Sequence, residues 1–339
     1  MGHEVVIYEP ADAWSLKSLV AAHGEKPVHD FHEKFPQLDS TRYHLDTLDL
    51  DAMLDGVDLG IVHERNHPSL VAQIGAYRAT HQGFTLFFHD THHRMATAPE
   101  QMRRYDLSHY DGVLANGRAL RDLYISRDWA GHAWTWHQAA DTRVFRPHPS
   151  DAEKEDVVWI GNWAEGERAQ ELSEYLLNPI RDLALSASVF GNGYPPETLA
   201  MLAHGEIAYR GWLPNFRVPE TLARYRVAIH VPHRLHARAL PGIPSLRIFE
   251  ALACGIPLIC APWADTEELF TEGKDFLVAR NGFEMQRQLW ALLNDAEMAN
   301  ELTLHGLKTI YARHSCKHRA KELLDIHAQF ARPALALSR

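Results

Sequence analysis

The chain has 339 residues, 46% of them hydrophobic, enough to build two packed α/β domains. Its formal net charge of −10 argues against a nucleic-acid backbone as partner. It also lacks any run of about 18 apolar residues that would span a membrane.

In chain order, Val5–Tyr8 is the first short β-type run, followed by Leu59–Val62, Thr85–Phe88 and Gly112–Ala115. Helical patterns at Ser69–Gln82 and Arg118–Arg127 separate the later ones. Strands alternating with helices predict a parallel, doubly wound sheet, whose ligands bind beyond the carboxyl ends of the strands. That rule places His63 and Glu64, then His89, Asp90 and His92, at the edge of a site. The run His89-Asp90-Thr91-His92-His93 invites a metal reading, but no downstream ligand set accompanies it, so no metal is expected. Contact with a bound small molecule, or ordinary loop hydrogen bonds, are the other readings. His89 and Asp90 are the candidates for catalysis.

Arg146–Pro149 and the charged stretch to Asp156 read as a linker. A second βα series follows: Val157–Ile160, Ala187–Phe190, Ile207–Tyr209, Val227–Val231 and Pro257–Cys260, then a terminal helical stretch from roughly Cys316 to Phe330. Two such domains leave a cleft between them, a preferred place for a small molecule. Cys254, Cys260 and Cys316 show neither zinc nor redox spacing. They are expected to be buried free thiols in a reducing compartment, with the cytoplasm as location. The chain carries 23 histidines, and apart from those at the strand ends they are taken as surface residues.

The most informative stretch is Pro241–Cys260: a Gly/Pro loop, a helix and a buried strand. The loop Pro241–Pro244 is expected to expose backbone N–H groups, and the helix after it points its positive end at the same place, which makes an anion site. Arg247 and Glu250 are three apart and share a helix face. Leu246, Phe249, Leu252 and Ala253 pack on the other side, and Gly255 stops the helix. A phosphate at the helix end and a ribose on Glu250 account for the spacing; the alternative is a plain Arg247–Glu250 salt bridge.

On these residues the chain resembles the GT-B glycosyltransferases, and within them the CgeB-like (spore-maturation) group. The resemblance rests on Ser245–Pro257, Glu267–Phe270, Gly273–Ala279 and the helix start at His314–His318, and covers most of residues 157–325. Gly2–Val5 and Ala140–Pro147 carry it more weakly through the first half. It implies two Rossmann-like domains. Residues 1–149, joined by a last helix at about 318–335, form the acceptor side, and 150–317 bind the nucleotide-sugar donor. It also implies sugar transfer from a nucleotide-diphosphate sugar, most simply a UDP-sugar, without metal or other cofactor and with retention of configuration, to an unidentified acceptor. Gly161, Asn162 and Arg168 are expected near the diphosphate, and Trp212 and Leu213 near the base, the alternative for the tryptophan being core packing. Gly242, Ile243, Pro244, Ser245 and Arg247 are expected at phosphate or sugar, and Glu250 at the ribose. His63, Glu64 and His92 are acceptor-side candidates.

Two departures stand out. Retaining relatives carry a second glutamate eight positions before the one matched by Glu250, and here Gly242 holds that position. Gly-His-Glu-Val is also expected to follow a first strand, a glycine-rich turn and a helix, so the N-terminal domain is expected to lack those elements. A non-catalytic nucleotide-sugar or glycan-binding protein and a nucleotide-sugar epimerase of the same shape are the competing functions.

Overall fold

The computed structural model describes residues 2–150, 153–163 and 167–330, and of 167, 168 and 234–236 it describes the backbone alone. Its strands are β1 (Tyr8–Pro10), β2 (Thr41–Tyr43), β3 (Leu59–His63), β4 (Thr85–Asp90), β5 (Gly112–Ala115) and β6 (Ala133–Thr135). The second half holds β7 (Glu155–Ile160), β8 (Ala187–Phe190), β9 (Ala208–Tyr209), β10 (Tyr225–His230), β11 (Leu258–Cys260) and β12 (Leu277–Val278). They form three sheets, ordered β1-β2, β3-β4-β5-β6 and β12-β11-β10-β7-β8-β9, with every pairing parallel.

Parallel sheets are covered on both faces, so their strands read as continuous apolar runs while neighbouring side chains serve opposite cores. In β7, Val157 and Trp159 enter one core and Val158 the other. In β4, Leu86 and Phe88 enter one core and Phe87 the opposite one, where it meets Leu114 of β5. That second face is covered by the helix Cys316–His327, which places Ile326 on Phe87 and Leu114. The Trp136 ring N–H donates to the Arg319 carbonyl at 2.8 Å. The chain crosses back to this helix through a backbone bridge between Ala140 and Ser315.

The six-stranded sheet has a consequence for function. Numbered from β7, its order is 3-2-1-4-5-6, so the winding reverses between β7 and β10. A crevice opens at the carboxyl ends of these two strands.

The structure moves some sequence expectations. The first strand is Tyr8–Pro10 rather than Val5–Tyr8, because β2 pairs with Tyr8, Glu9 and Pro10 while Val5, Val6 and Ile7 stay exposed. Cys254 and Cys260 are buried free thiols, but Cys316 is exposed, because it opens the last helix on its solvent side. Many histidines make specific bonds instead of simply facing water. His67 caps the helix Pro68–Thr80, His305 reaches Asp275 at 2.7 Å, and His327 reaches Thr85 at 2.9 Å. Among the described residues no helix is long and apolar enough to cross a membrane.

Candidate donor site in the cleft

A cavity of about 390 Å³ lies where the sheet order reverses, lined by Ile160, Gly161, Asn162, Asn215, His230, Ser245, Leu246, Arg247 and Glu250. Gly161 and Asn162 follow β7, and His230 ends β10. Ser245 to Glu250 open the helix Leu246–Cys254. Ser245 is the N-cap, its hydroxyl accepting the Arg247 amide at 3.3 Å, and Gly255 ends the helix in the left-handed region at φ +68°. The helix buries Ile248, Phe249, Leu252 and Ala253 in the core, while Leu246 is left partly exposed at the cavity.

Glu250 is 2% exposed, yet it lines this cavity. Its Oε1 accepts from Asn215 Nδ2 at 3.0 Å, and its Oε2 meets Arg247 Nη1 at 2.6 Å. Burial raises the carboxyl above its ordinary pKa, and Arg247 and Asn215 pull against that rise. The Arg247–Glu250 salt bridge of the plain alternative therefore exists. It lies inside a cavity rather than on a solvated face.

The Gly/Pro loop differs from expectation. The Gly242 amide donates to the Ala264 carbonyl at 2.7 Å and the Ile243 amide to the Leu240 carbonyl at 3.3 Å, and Pro244 carries no N–H. Those loop amides close a turn and are not offered to a ligand. The anion position falls to the helix end itself, at Ser245 and Leu246. Gly242 has φ +88°, and a Cβ there would lie 2.4 Å from Thr266 Oγ1 and 3.1 Å from Glu267 Cγ. A side chain, and so a carboxylate, would be strained at this position and would force Thr266 to shift.

A second cavity, of about 320 Å³, shares His230, Ser245 and Leu246 with the first. It adds Pro244 and Trp263 from the same half, and Asn116 and Gln138 from the other half. The Asn116 side chain accepts the Gln138 amide at 3.2 Å, so the two are held together.

Other expected site residues lie elsewhere. Trp212 and Leu213 line neither cavity: the Trp212 ring stacks on His23 at 4.8 Å and 25°, and Leu213 packs on the core. The Arg168 side chain lies outside the described residues. Asp90 is fully buried, with Oδ1 accepting the His92 amide at 2.9 Å and Oδ2 accepting from the Tyr124 hydroxyl at 2.8 Å. Burial raises its pKa to about 6 against those two bonds. His89 is packed between His63 and Trp136, with ring centroids at 5.2 and 4.8 Å, and burial lowers its pKa to about 3. Glu64 is buried and pairs with Arg94. Burial lowers His92 to about 4, with His93 and Arg65 adding to the effect. The structure thus gathers His63, Glu64, His89, Asp90 and His92 at the carboxyl ends of β3 and β4, but none of them lines the two cleft cavities. Among the described residues, no three His, Cys, Asp or Glu side chains are grouped to hold a metal ion.

Sequence reasoning missed Asn215, His230, Asn116 and Gln138. His230 had a usable signal: it ends the strand at the reversal of sheet order, and that order is the standard doubly wound one.

Comparison with known proteins follows this geometry. Residues 168–325 match a family model described as glycosyl transferase-like. No curated protein matches the chain. Similar solved structures include HepE from Anabaena in complex with UDP, with TM-score 0.65 and 13% identity over 96% of this chain and 100% of that one. Another is a glycosyltransferase from Rickettsia africae, with TM-score 0.63 and 10% identity over 98% of each chain. A third is a TarM mutant from S. aureus in complex with fondaparinux, alpha-GlcNAc-glycerol and UDP, with TM-score 0.55 and 12% identity over 74% of this chain. The chain spans 52% of that protein's length. At such identities the likeness shows the fold, which is GT-B.

Proposed function

We propose that this GT-B chain is a glycosyltransferase that moves a sugar from a nucleoside-diphosphate donor, UDP-linked in the simplest case, to an acceptor hydroxyl. One observation carries the reading: a buried carboxylate, Glu250, is aimed into a cavity beside a helix N-terminus and an arginine, at the point where the sheet order reverses. A ribose offers a pair of hydroxyl donors to a carboxylate, and a diphosphate offers anionic oxygens to helix amides. The match of residues 168–325 to a glycosyl transferase-like family and the UDP bound to HepE support the same donor class.

The mechanism follows from where charge grows. As the sugar leaves, negative charge builds on the β-phosphate. Ser245, Leu246 and Arg247 line this cavity, and in this reading their amides and guanidinium meet that charge. Groups fixed before reaction stabilise such charge without reorganising. The contiguous second cavity is lined from the opposite half by Asn116 and Gln138, and this reading assigns it to sugar and acceptor. A metal-independent, retaining reaction in the cytoplasm, of the CgeB-like kind, is the finer form of this proposal. The resemblance of Ser245–Pro257 to that group supports it.

Isothermal titration with UDP tests the reading. Glu250→Ala is expected to weaken binding by about 1–3 kcal/mol, the range for a charged hydrogen bond. Unchanged affinity in a folded variant would remove Glu250 from the donor site.

A further inference from the structure

Glu267 belongs to the half of the molecule that carries the donor cavity, yet its carboxylate bonds to the other half. Its side chain is only 4% exposed. Oε1 accepts the backbone amide of Arg118 at 2.7 Å, and Oε2 lies 3.0 Å from His137 Nε2. Burial works against this carboxylate. The His137 and Arg118 bonds outweigh it and hold the pKa below the ordinary value.

The helix Arg118–Ser126 explains the first contact. Its N-cap is Gly117, which has no side chain and makes no cap bond of its own. Glu267 supplies the cap from across the cleft, and a negative charge suits that helix end. The surroundings are equally tight. Gly117 has φ +113°, and a Cβ on it would lie 2.3 Å from Ile243 Cγ1 and 3.1 Å from Glu267 Oε1. Gly242 is closed off by Thr266 and Glu267. Two glycines, one in each half, thus let the loop Pro241–Pro244 press against the start of that helix, and one carboxylate joins them.

We propose that Glu267 is a positioning residue: with His137 and the Arg118 amide it clasps the two halves so that Asn116 and Gln138 stand opposite Ser245 across the cleft. This rests on the donor-site reading for its purpose, since a two-sided cavity matters only if a reaction occurs between its walls. The carboxylate touches neither cavity. Its effect is to fix the loop that leads into Ser245, and the distance between the walls.

Glu267→Gln, His137→Ala, their double variant, His137→Gln and Glu267→Ala, together with wild type, test the clasp by two readouts. The first is hydrogen exchange at the Arg118 amide, which needs no ligand. Exchange is expected to speed up in Glu267→Ala, which removes the acceptor that glutamine would keep, and the same rate as in wild type would overturn the clasp. The second is UDP binding against UDP release from UDP-glucose. In Glu267→Gln and His137→Ala the Kd for UDP is expected to stay within about twofold, because Glu250 is intact. Turnover is expected to fall by about 10- to 100-fold, the cost of misplacing reacting groups by about an ångström. The double variant should be no worse than either single one, since both break one linkage. His137→Gln keeps a donor for the carboxylate and should recover most turnover. Loss of UDP-glucose affinity with unchanged Arg118 exchange would make Glu267 a sugar contact and overturn the positioning role. If wild type binds no UDP, the donor-site reading fails, and the exchange readout still decides the clasp.

Discussion

Asp90 shows how a residue that looks catalytic in sequence is used by the fold. Both carboxylate oxygens are occupied, by the His92 amide and the Tyr124 hydroxyl, in a fully buried place. Its pKa is raised from 3.8 to about 6, so the protonated form is the one that the folded state favours. The stability this contributes is fully present below pH 3.8 and is lost as pH rises through about 6. Asp90→Asn cannot ionise, so its melting temperature relative to wild type should improve from pH 4.5 to pH 7.5. A difference that stays constant over that range would mean an ordinary carboxylate. UDP affinity should not change. Glu250 was legible in sequence because a helix period links it to Arg247 and to a core face. Asn215, His230 and Glu267 were not, since their roles depend on which strand lies beside which and on what crosses the cleft. No spacing along the chain records either. Histidine was misjudged for the same reason, because its caps and ring contacts are made by neighbours distant in sequence.

Among the elements, the helix Leu246–Cys254 combines stability and function at one end. The Ser245 hydroxyl holds the Arg247 amide, while Ser245 and Leu246 line the cavity at the helix N-terminus. Ser245→Ala should cost about 0.5–2 kcal/mol of stability in urea unfolding, the usual value of an N-cap. It should weaken UDP binding less than Glu250→Ala does, because the backbone amides remain. Equal losses of affinity would give the hydroxyl itself a ligand contact. Strands with an apolar run, such as β4, β5, β7 and β8, were legible to within two residues. β2, β6 and β12 were not: they are two or three residues long, and only their partners make them strands. Trp212 is a related case. A tryptophan after a strand end suits a base equally well, and only the approach of His23 decides its use.

Across the whole molecule, the two halves are joined at more than one place. At one, Lys34 meets Glu220 at 3.1 Å, Arg217 meets Asp30 at 3.2 Å, and Phe31 and Phe35 pack on Phe216. Glu267, bonded to Arg118 and His137, is a separate junction. The helix Cys316–His327 adds a third tie, since it follows the second half in sequence but packs on the first. Ile326→Ala should cost about 2–5 kcal/mol in urea unfolding, as for a buried large-to-small change. Its effect should be greatest on the signal of Trp134 and Trp136, which pack on the same cluster. A cost below about 1 kcal/mol would mean that the helix is only loosely docked.

That last helix also sets the order in which the protein can be finished at the ribosome. Phe87 and Leu114 emerge early, whereas Ile326, which covers them, is translated after the entire second half. Until then the nascent chain carries a sheet with one greasy face open to solvent or to a passing holdase chaperone. Closure of the first half therefore waits for synthesis of the second, and a ribosome stalled before residue 316 leaves a product prone to aggregation.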